Sequence, residues 1–267
     1  MTRAPAVAGR VYFVGAGPGA ADLLTVRAIR VLARADVVLH DALMTGEVLE
    51  WAPGAELIPV GKRCDGASAD QGWIDRALVD AARRHAVVVR LKGGDPTVFG
   101  RLDEEIDALD AAGVPWEIVP GITAASAAAA QAGHSLTRRG VARRVDVVTP
   151  RVGRDAPGHA GDPDGGWADG LSPSGTVVLY MAGRIAGRCA RTLIAGGFPA
   201  DTPAVAVRAA SWPDAATERT SLAALAAGGL AVDARPVVLL VGRALAPRAG
   251  VAAPGRVRAA AGSDAPR

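Results

Sequence analysis

Aromatic residues make up only 4% of this 267-residue chain although half of it is hydrophobic. Any core must therefore be built from alanine, valine, leucine and isoleucine. Lysine is nearly absent while arginine, alanine and glycine abound, a bias of genomic composition rather than of function. The two cysteines, Cys64 and Cys189, are far apart and match no metal spacing, so a reduced cytoplasm is the default compartment. None of the four histidines lies in a ligand pattern such as HExxH, and no metal is expected. The net charge of +3 is small and spread along the chain, which argues against nucleic acid as a partner. No apolar run approaches a membrane span, and the N-terminal MTRAPAVAGR lacks the apolar segment of a secretory signal. These absences leave a soluble α/β protein, long enough for one large or two medium domains.

What is present is organised around residues 87–101, VVVRLKGGDPTVFGR. Val87, Val88, Val89 and Leu91 form a short apolar run of the kind that makes a buried parallel strand. It stops at Gly93-Gly94, where the backbone can turn sharply and a ligand can approach with no Cβ in the way. Asp95 follows, and Pro96 biases it towards extended backbone. A carboxylate at the carboxyl end of a parallel strand stands where open α/β sheets bind ligands. Taken alone, the same residues also read as a strand, a turn and a capping aspartate.

The rest of the chain supplies matching units. Residues 11–14 form a strand running into Gly15-Ala16-Gly17-Pro18-Gly19, and a helical pattern follows from Leu23 to Leu32 with Asp22 or Thr25 as cap. Residues 35–39 are a second strand, ending at His40-Asp41, and 58–60 a third, leading into Gly61-Lys62-Arg63. Residues 71–84 are amphipathic, with Ile74, Ala77, Leu78 and Ala81 on one face. Residues 102–112 form a helix carrying Glu104, Glu105, Asp107 and Asp110 on its solvated side. The strand 116–119 ends at Pro120-Gly121-Ile122-Thr123, and the alanine-rich helix 124–132 follows. Five strand–turn–helix units thus end in polar or glycine-rich turns along one sheet edge. The stretch 151–174 loses apolar periodicity to Gly, Asp and Pro. Beyond it come strands at 176–180, 204–207 and 237–241 and helices at 185–195 and 222–227. The expected organisation is a flexible arm (1–9), an N-terminal α/β domain (10–145), a hinge or insertion (146–175), a C-terminal α/β domain (176–245) and a disordered tail (246–267). The glycine-rich first turn, with Asp41 about 20 residues on, also invites a dinucleotide reading, but its spacing is GxGxG and Pro18 sits inside it.

The stretches VGAGPGAADLLT (14–25), ADVVLHDAL (35–43), VGKR (60–63), VRLKGGDPTVFGR (89–101), VPGITAASAAAA (119–130), VVLYMAG (177–183) and DTPAVAV (201–207) carry a resemblance in their order and spacing. Over residues 10–245 the chain resembles the uroporphyrinogen-III C-methyltransferases, within the tetrapyrrole (precorrin) class of S-adenosylmethionine methyltransferases. The resemblance implies the tetrapyrrole methylase fold, two α/β domains with a ligand cleft between them, in a homodimer. It implies methylation of uroporphyrinogen III at two ring carbons, through precorrin-1 to precorrin-2, towards sirohaem and cobalamin. It places cofactor contacts at Pro18, Gly93, Gly94, Asp95, Val98, Thr123, Ala124, Met181 and Ala210. Asp41 and Lys62 match the positions assigned as proton acceptor and donor, and Lys62 could equally pair with a substrate carboxylate. Arg63, Arg101, Arg138 and Arg139 are candidates for the substrate's eight carboxylates.

Some positions depart from the family pattern. His40 stands for the usual Tyr, Leu102-Asp103 for glycines, His134-Ser135 for Ile-Pro and Arg138 for a His, and no Gln-Arg pair follows Trp212-Pro213-Asp214. The cofactor turns are nearly intact, whereas segments expected to face substrate have drifted. Methylation of a later precorrin, or a cofactor-binding homologue without turnover, are the alternatives this leaves.

Overall fold

The computed structural model describes residues 9–42, 44–61, 71–150, 166–231 and 233–247. The chain divides into two compact units, Met1–Ala124 and Ala125–Arg267.

The first unit is a five-stranded parallel sheet in the order β3-β2-β4-β1-β5. Its strands are β1 (Arg10–Gly15), β2 (Val37–His40), β3 (Glu56–Pro59), β4 (Val87–Lys92) and β5 (Trp116–Val119). β4 is central, with Arg10 opposite Val87 and Gly15 opposite Lys92 on β1. Both faces of the sheet are covered, which is why its inner strands are apolar without alternation. Tyr12, Val14, Val38, Val89 and Leu91 pack on one face with Ala28, Val31 and Leu32 of helix α1 (Val26–Leu32). Val11, Phe13, Val37, Leu39 and Val88 pack on the other, under α3 (Gln71–Arg84) and α4 (Leu102–Ala111). The expected α3 stripe is buried through Ile74, Leu78, Ala81 and Ala82. Of the two candidate caps for α1, Thr25 serves: its Oγ1 accepts the Ala28 N–H at 3.1 Å. Asp22 lies earlier, in a 3-10 turn. A short helix α2 (Gly46–Leu49), absent from the sequence reading, links β2 to β3.

The second unit is a mixed five-stranded sheet in the order β6-β7-β10-β8-β9. Its strands are β6 (Val145–Val148), β7 (Thr176–Leu179), β8 (Pro203–Arg208), β9 (Ala216–Ser221) and β10 (Val237–Val241). Leu179, Cys189, Leu193, Phe198, Leu222, Leu225, Leu239 and Val241 anchor its core, with α6 (Ala186–Ala195) and α7 (Leu222–Gly228) packed on the sheet. β6 occupies the start of the segment expected as a hinge, and β9 is a polar edge strand, Ala-Thr-Glu-Arg-Thr-Ser, held by its backbone pairing to β8.

The division between units falls ahead of the expected boundary at residue 145. Helix α5 (Ala124–Gln131) is bonded into the second unit from its second residue onward. The Ala125 N–H donates to Tyr180 Oη at 2.8 Å and the Ser211 N–H to Gln131 Oε1 at 2.9 Å, while Arg219 donates to the Ala132 carbonyl. The tail expected from 246 lies outside the described residues from 248 onward, as do residues 1–8 of the arm and 151–165 of the hinge.

Candidate active site

Parallel strands deliver their following turns to one sheet edge, and in the first unit three such turns pack backbone to backbone. Gly17, after β1, and Gly94, after β4, exchange two hydrogen bonds: Gly94 N–H to Gly17 O at 2.7 Å and Gly17 N–H to Gly94 O at 3.2 Å. Both have positive φ, 71° and 69°, which glycine adopts without strain. A Cβ on Gly15 would stand 2.6 Å from Gly121 Cα and 2.7 Å from the Gly94 oxygen, so three turns meet where no side chain fits. Gly93 is different. It is exposed, and among the described residues a Cβ there would meet only Met44 Cε, at 3.6 Å, which leaves its backbone open to a ligand.

Asp95 ties this cradle together. Its Oδ2 accepts the Gly121 N–H at 3.0 Å, and its Oδ1 accepts the Thr97 N–H at 2.8 Å and the Thr97 hydroxyl. Three of the roughly four lone-pair directions of a carboxylate are thereby used within the turns. Asp95 shapes the site by holding the β4 and β5 turns at a fixed separation. Val98 follows with its N–H on the Asp95 carbonyl at 3.1 Å, and Thr45 Oγ1 donates to the Gly19 carbonyl at 3.0 Å. The candidate contacts Pro18, Gly93, Gly94, Asp95, Val98, Thr123 and Ala124 all lie in or beside the turns that follow β1, β4 and β5.

Asp41 follows β2 on the same edge. Its Oδ1 takes a hydrogen bond of 2.7 Å from Arg90 Nη2. Arg90 in turn gives Nε to Glu105 Oε1 at 3.2 Å, and Lys92 Nζ reaches the same oxygen at 2.8 Å. Arg90, Lys92 and Glu105 are buried. This corrects the sequence reading, which set Glu105 on the solvated side of α4: it points inward because β4 presents two cations there. Burial pushes the Lys92 ammonium below its ordinary value, and neighbouring Arg90 lowers it further, against the opposing pull of Glu105. Sequence reasoning missed these three residues, although a signal existed. Charges two apart within an apolar strand share one face, and a strand buried on both faces must give them partners.

In the second unit Met181 and Ala210 follow β7 and β8, two strands that both run antiparallel to β10 and so end at the same sheet edge. Met181 is exposed with φ 55°, while Ala210 is buried. Lys62 and Arg63 lie outside the described residues. Arg101 makes two hydrogen bonds to Glu104, 2.9 and 2.6 Å. Arg138 and Arg139 are exposed on a tight turn closed by the Arg138–Ala142 bridge.

The dinucleotide alternative requires glycines at the N-terminus of a helix. Here turn 15–19 leads into a 3-10 turn, and α1 begins only at Val26. The sequence profile of the Tetrapyrrole (Corrin/Porphyrin) Methylases matches residues 10–226. The chain belongs to the tetrapyrrole methylases. This methylase is 44% identical to the uroporphyrinogen-III C-methyltransferase of Paracoccus denitrificans over 91% of its own length and 84% of that chain. It is 46% identical to the siroheme synthase of Pseudomonas fluorescens over 76% of its length, a match spanning 43% of the synthase. The uroporphyrin-III C-methyl transferase of Thermus thermophilus, solved with S-adenosyl homocysteine, matches at 37% identity with a TM-score of 0.73. That comparison covers 89% of this tetrapyrrole methylase and 99% of the Thermus chain.

Proposed function

We propose that this chain transfers methyl groups from S-adenosylmethionine to two ring carbons of uroporphyrinogen III, passing through precorrin-1 to precorrin-2. The observation that carries the reading is the pairing, on one sheet edge, of a side-chain-free glycine cradle with the Arg90-held carboxylate of Asp41. The 44% identity to a uroporphyrinogen-III C-methyltransferase supports the choice of substrate. Precorrin-2 serves sirohaem and cobalamin formation.

The cradle fits S-adenosylmethionine: its walls are glycine backbone, with Gly93 exposed and small residues at Thr123 and Ala124. When bound, that cofactor supplies an electrophilic methyl on a sulfonium. The turns would hold the cofactor beside the ring to be methylated, and proximity of this kind contributes much of such a rate. Asp41 accepts a proton from the methylated ring or stabilises the positive charge that develops on its nitrogen. Lys62 donates a proton or pairs with a substrate carboxylate, and Arg63, Arg101, Arg138 and Arg139 are the guanidinium candidates for the remaining carboxylates. Met181 and Ala210 complete the proposed cofactor set. The same reading takes a reduced cytoplasm as the compartment and a homodimer as the working unit. Supporting observations are the paucity of cysteine and, among the described residues, the lack of any helix long and apolar enough to cross a membrane.

The test is an anaerobic incubation with S-adenosylmethionine and freshly generated uroporphyrinogen III, read by mass spectrometry. A product heavier by two methyl groups is expected. Cofactor binding without transfer to this substrate, but with transfer to a later precorrin, would move the assignment to that precorrin. The drifted residues Leu102-Asp103, His134-Ser135 and Arg138 favour that second reading.

A further inference from the structure

Asp41 is half-buried at the end of a four-residue strand, and a carboxylate there could adopt several rotamers. Arg90 removes that freedom. Its side chain is 3% exposed and every nitrogen is engaged: Nη2 on Asp41 Oδ1 at 2.7 Å, Nε on Glu105 Oε1 at 3.2 Å and Nη1 on the Leu91 carbonyl at 3.1 Å. A planar guanidinium bonded at three corners has one orientation. The corner that sets its tilt towards β2 is Glu105, which lies on α4 behind the sheet and is 1% exposed. Lys92 balances the charge, so two cations face two carboxylates.

This arrangement is a poor way to gain stability. Buried ion pairs return little more than their desolvation cost, and apolar residues of equal volume often do better. Among the described residues the buried Glu105 Oε2 has no hydrogen-bond partner, a further cost to the fold. Asp75 on α3 lies near enough for the charges of Glu105 and Glu104 to disfavour its ionised form. A costly buried network is accounted for when it holds something in place, and the group at its outer end is Asp41.

We propose that Glu105 is a positioning residue for the Asp41 carboxylate, acting through Arg90. This rests on the function proposed above, in which Asp41 meets the ring being methylated. By holding Oδ1, the network fixes the direction of Oδ2, which meets no partner among the described residues. Displacing a reacting group by about 1 Å can cost on the order of a hundredfold in rate, so the orientation of Arg90 governs turnover although Glu105 touches no reactant.

The experiment is a double-mutant cycle of Glu105→Gln with Asp41→Asn, measuring steady-state methylation, S-adenosylhomocysteine affinity by calorimetry and Tm. Glu105→Gln alone is expected to lower kcat by about tenfold or more, with KM and S-adenosylhomocysteine Kd within about twofold of wild type. In the Asp41→Asn background the same change is expected to alter kcat by less than about twofold, because contacting or coupled sites are not additive. Should Glu105→Gln fail to fold, the paired variant Glu105→Gln with Lys92→Met removes one anion and one cation together and enters the same cycle. Losses that add fully in an active enzyme, or a cofactor affinity that falls in step with Tm, overturn the positioning role and leave Glu105 a core residue. A wild-type chain that binds S-adenosylhomocysteine but methylates no tetrapyrrole overturns the proposed function, and this inference with it.

Discussion

Gly121 has no room for a side chain, since the Gly94 carbonyl and the Gly15 Cα lie well inside contact distance of any Cβ built there. Its role is therefore spatial, and its need for glycine follows from neighbours on two other strands rather than from its own backbone angle. Asp95 acts on the same turn from the other side, through the hydrogen bond it accepts from the Gly121 N–H. Gly121→Ala is expected to lower stability by about 1–3 kcal/mol through overpacking, and Asp95→Ala to weaken S-adenosylhomocysteine binding by about tenfold through loss of three turn hydrogen bonds. Thermal unfolding and titration calorimetry read these two effects, and unchanged affinity in Asp95→Ala would remove the turn from the site. At this scale the glycines and Asp95 were legible because GGDP is a local pattern. Arg90 and Lys92 were passed over because the run around them reads as an ordinary buried strand.

Between elements, the α3–α4 seam carries the acids Asp75, Glu104 and Glu105. Burial holds the Asp75 carboxyl above its ordinary 3.8, and Glu105 and Glu104 raise it further, against the hydrogen bond from Gln71 and the charge of Arg101. A carboxyl whose folded value is raised contributes stability that is fully present below 3.8 and is lost as pH rises through the folded value. Ionised Asp75 therefore costs stability at neutral pH. Asp75→Asn, which keeps an acceptor for Gln71, is expected to melt higher than wild type at pH 7, with the difference shrinking as pH falls towards 3.8. Equal melting temperatures at pH 7 would show that the seam tolerates the charge. Elements with continuous apolar runs or a clear helical stripe, such as β4 and α3, were readable from sequence. β9 was not, because a polar edge strand is defined by the backbone of β8 and not by its own side chains.

For the whole molecule, the homodimer in the proposed function predicts a solution mass of twice the 27.0 kDa chain. Sedimentation equilibrium across a range of concentrations checks it, and a monomer with full methylation activity would sink the dimeric reading. The division at Ala124/Ala125 was not legible. The alanine-rich α5 offers a uniform small surface with no stripe to say which core it joins, and the hydrogen bonds that settle the matter come from Tyr180, Ser211 and Arg219, far along the chain.

Periodicity and turn chemistry are local, so the parallel β/α units, the glycine-rich turns at their carboxyl ends and the family resemblance can be read from the order of residues alone. Pairing between distant side chains is not local. Asp41 meets Arg90 across 49 residues, and Arg90 meets Glu105 across 15. The buried guanidinium that holds Asp41, and the inward turn of Glu105 that orients it, emerge only in the folded chain. Burial is the cause: once folding removes water from β4, its two cations must find carboxylates, and the elements packed beside them determine which ones.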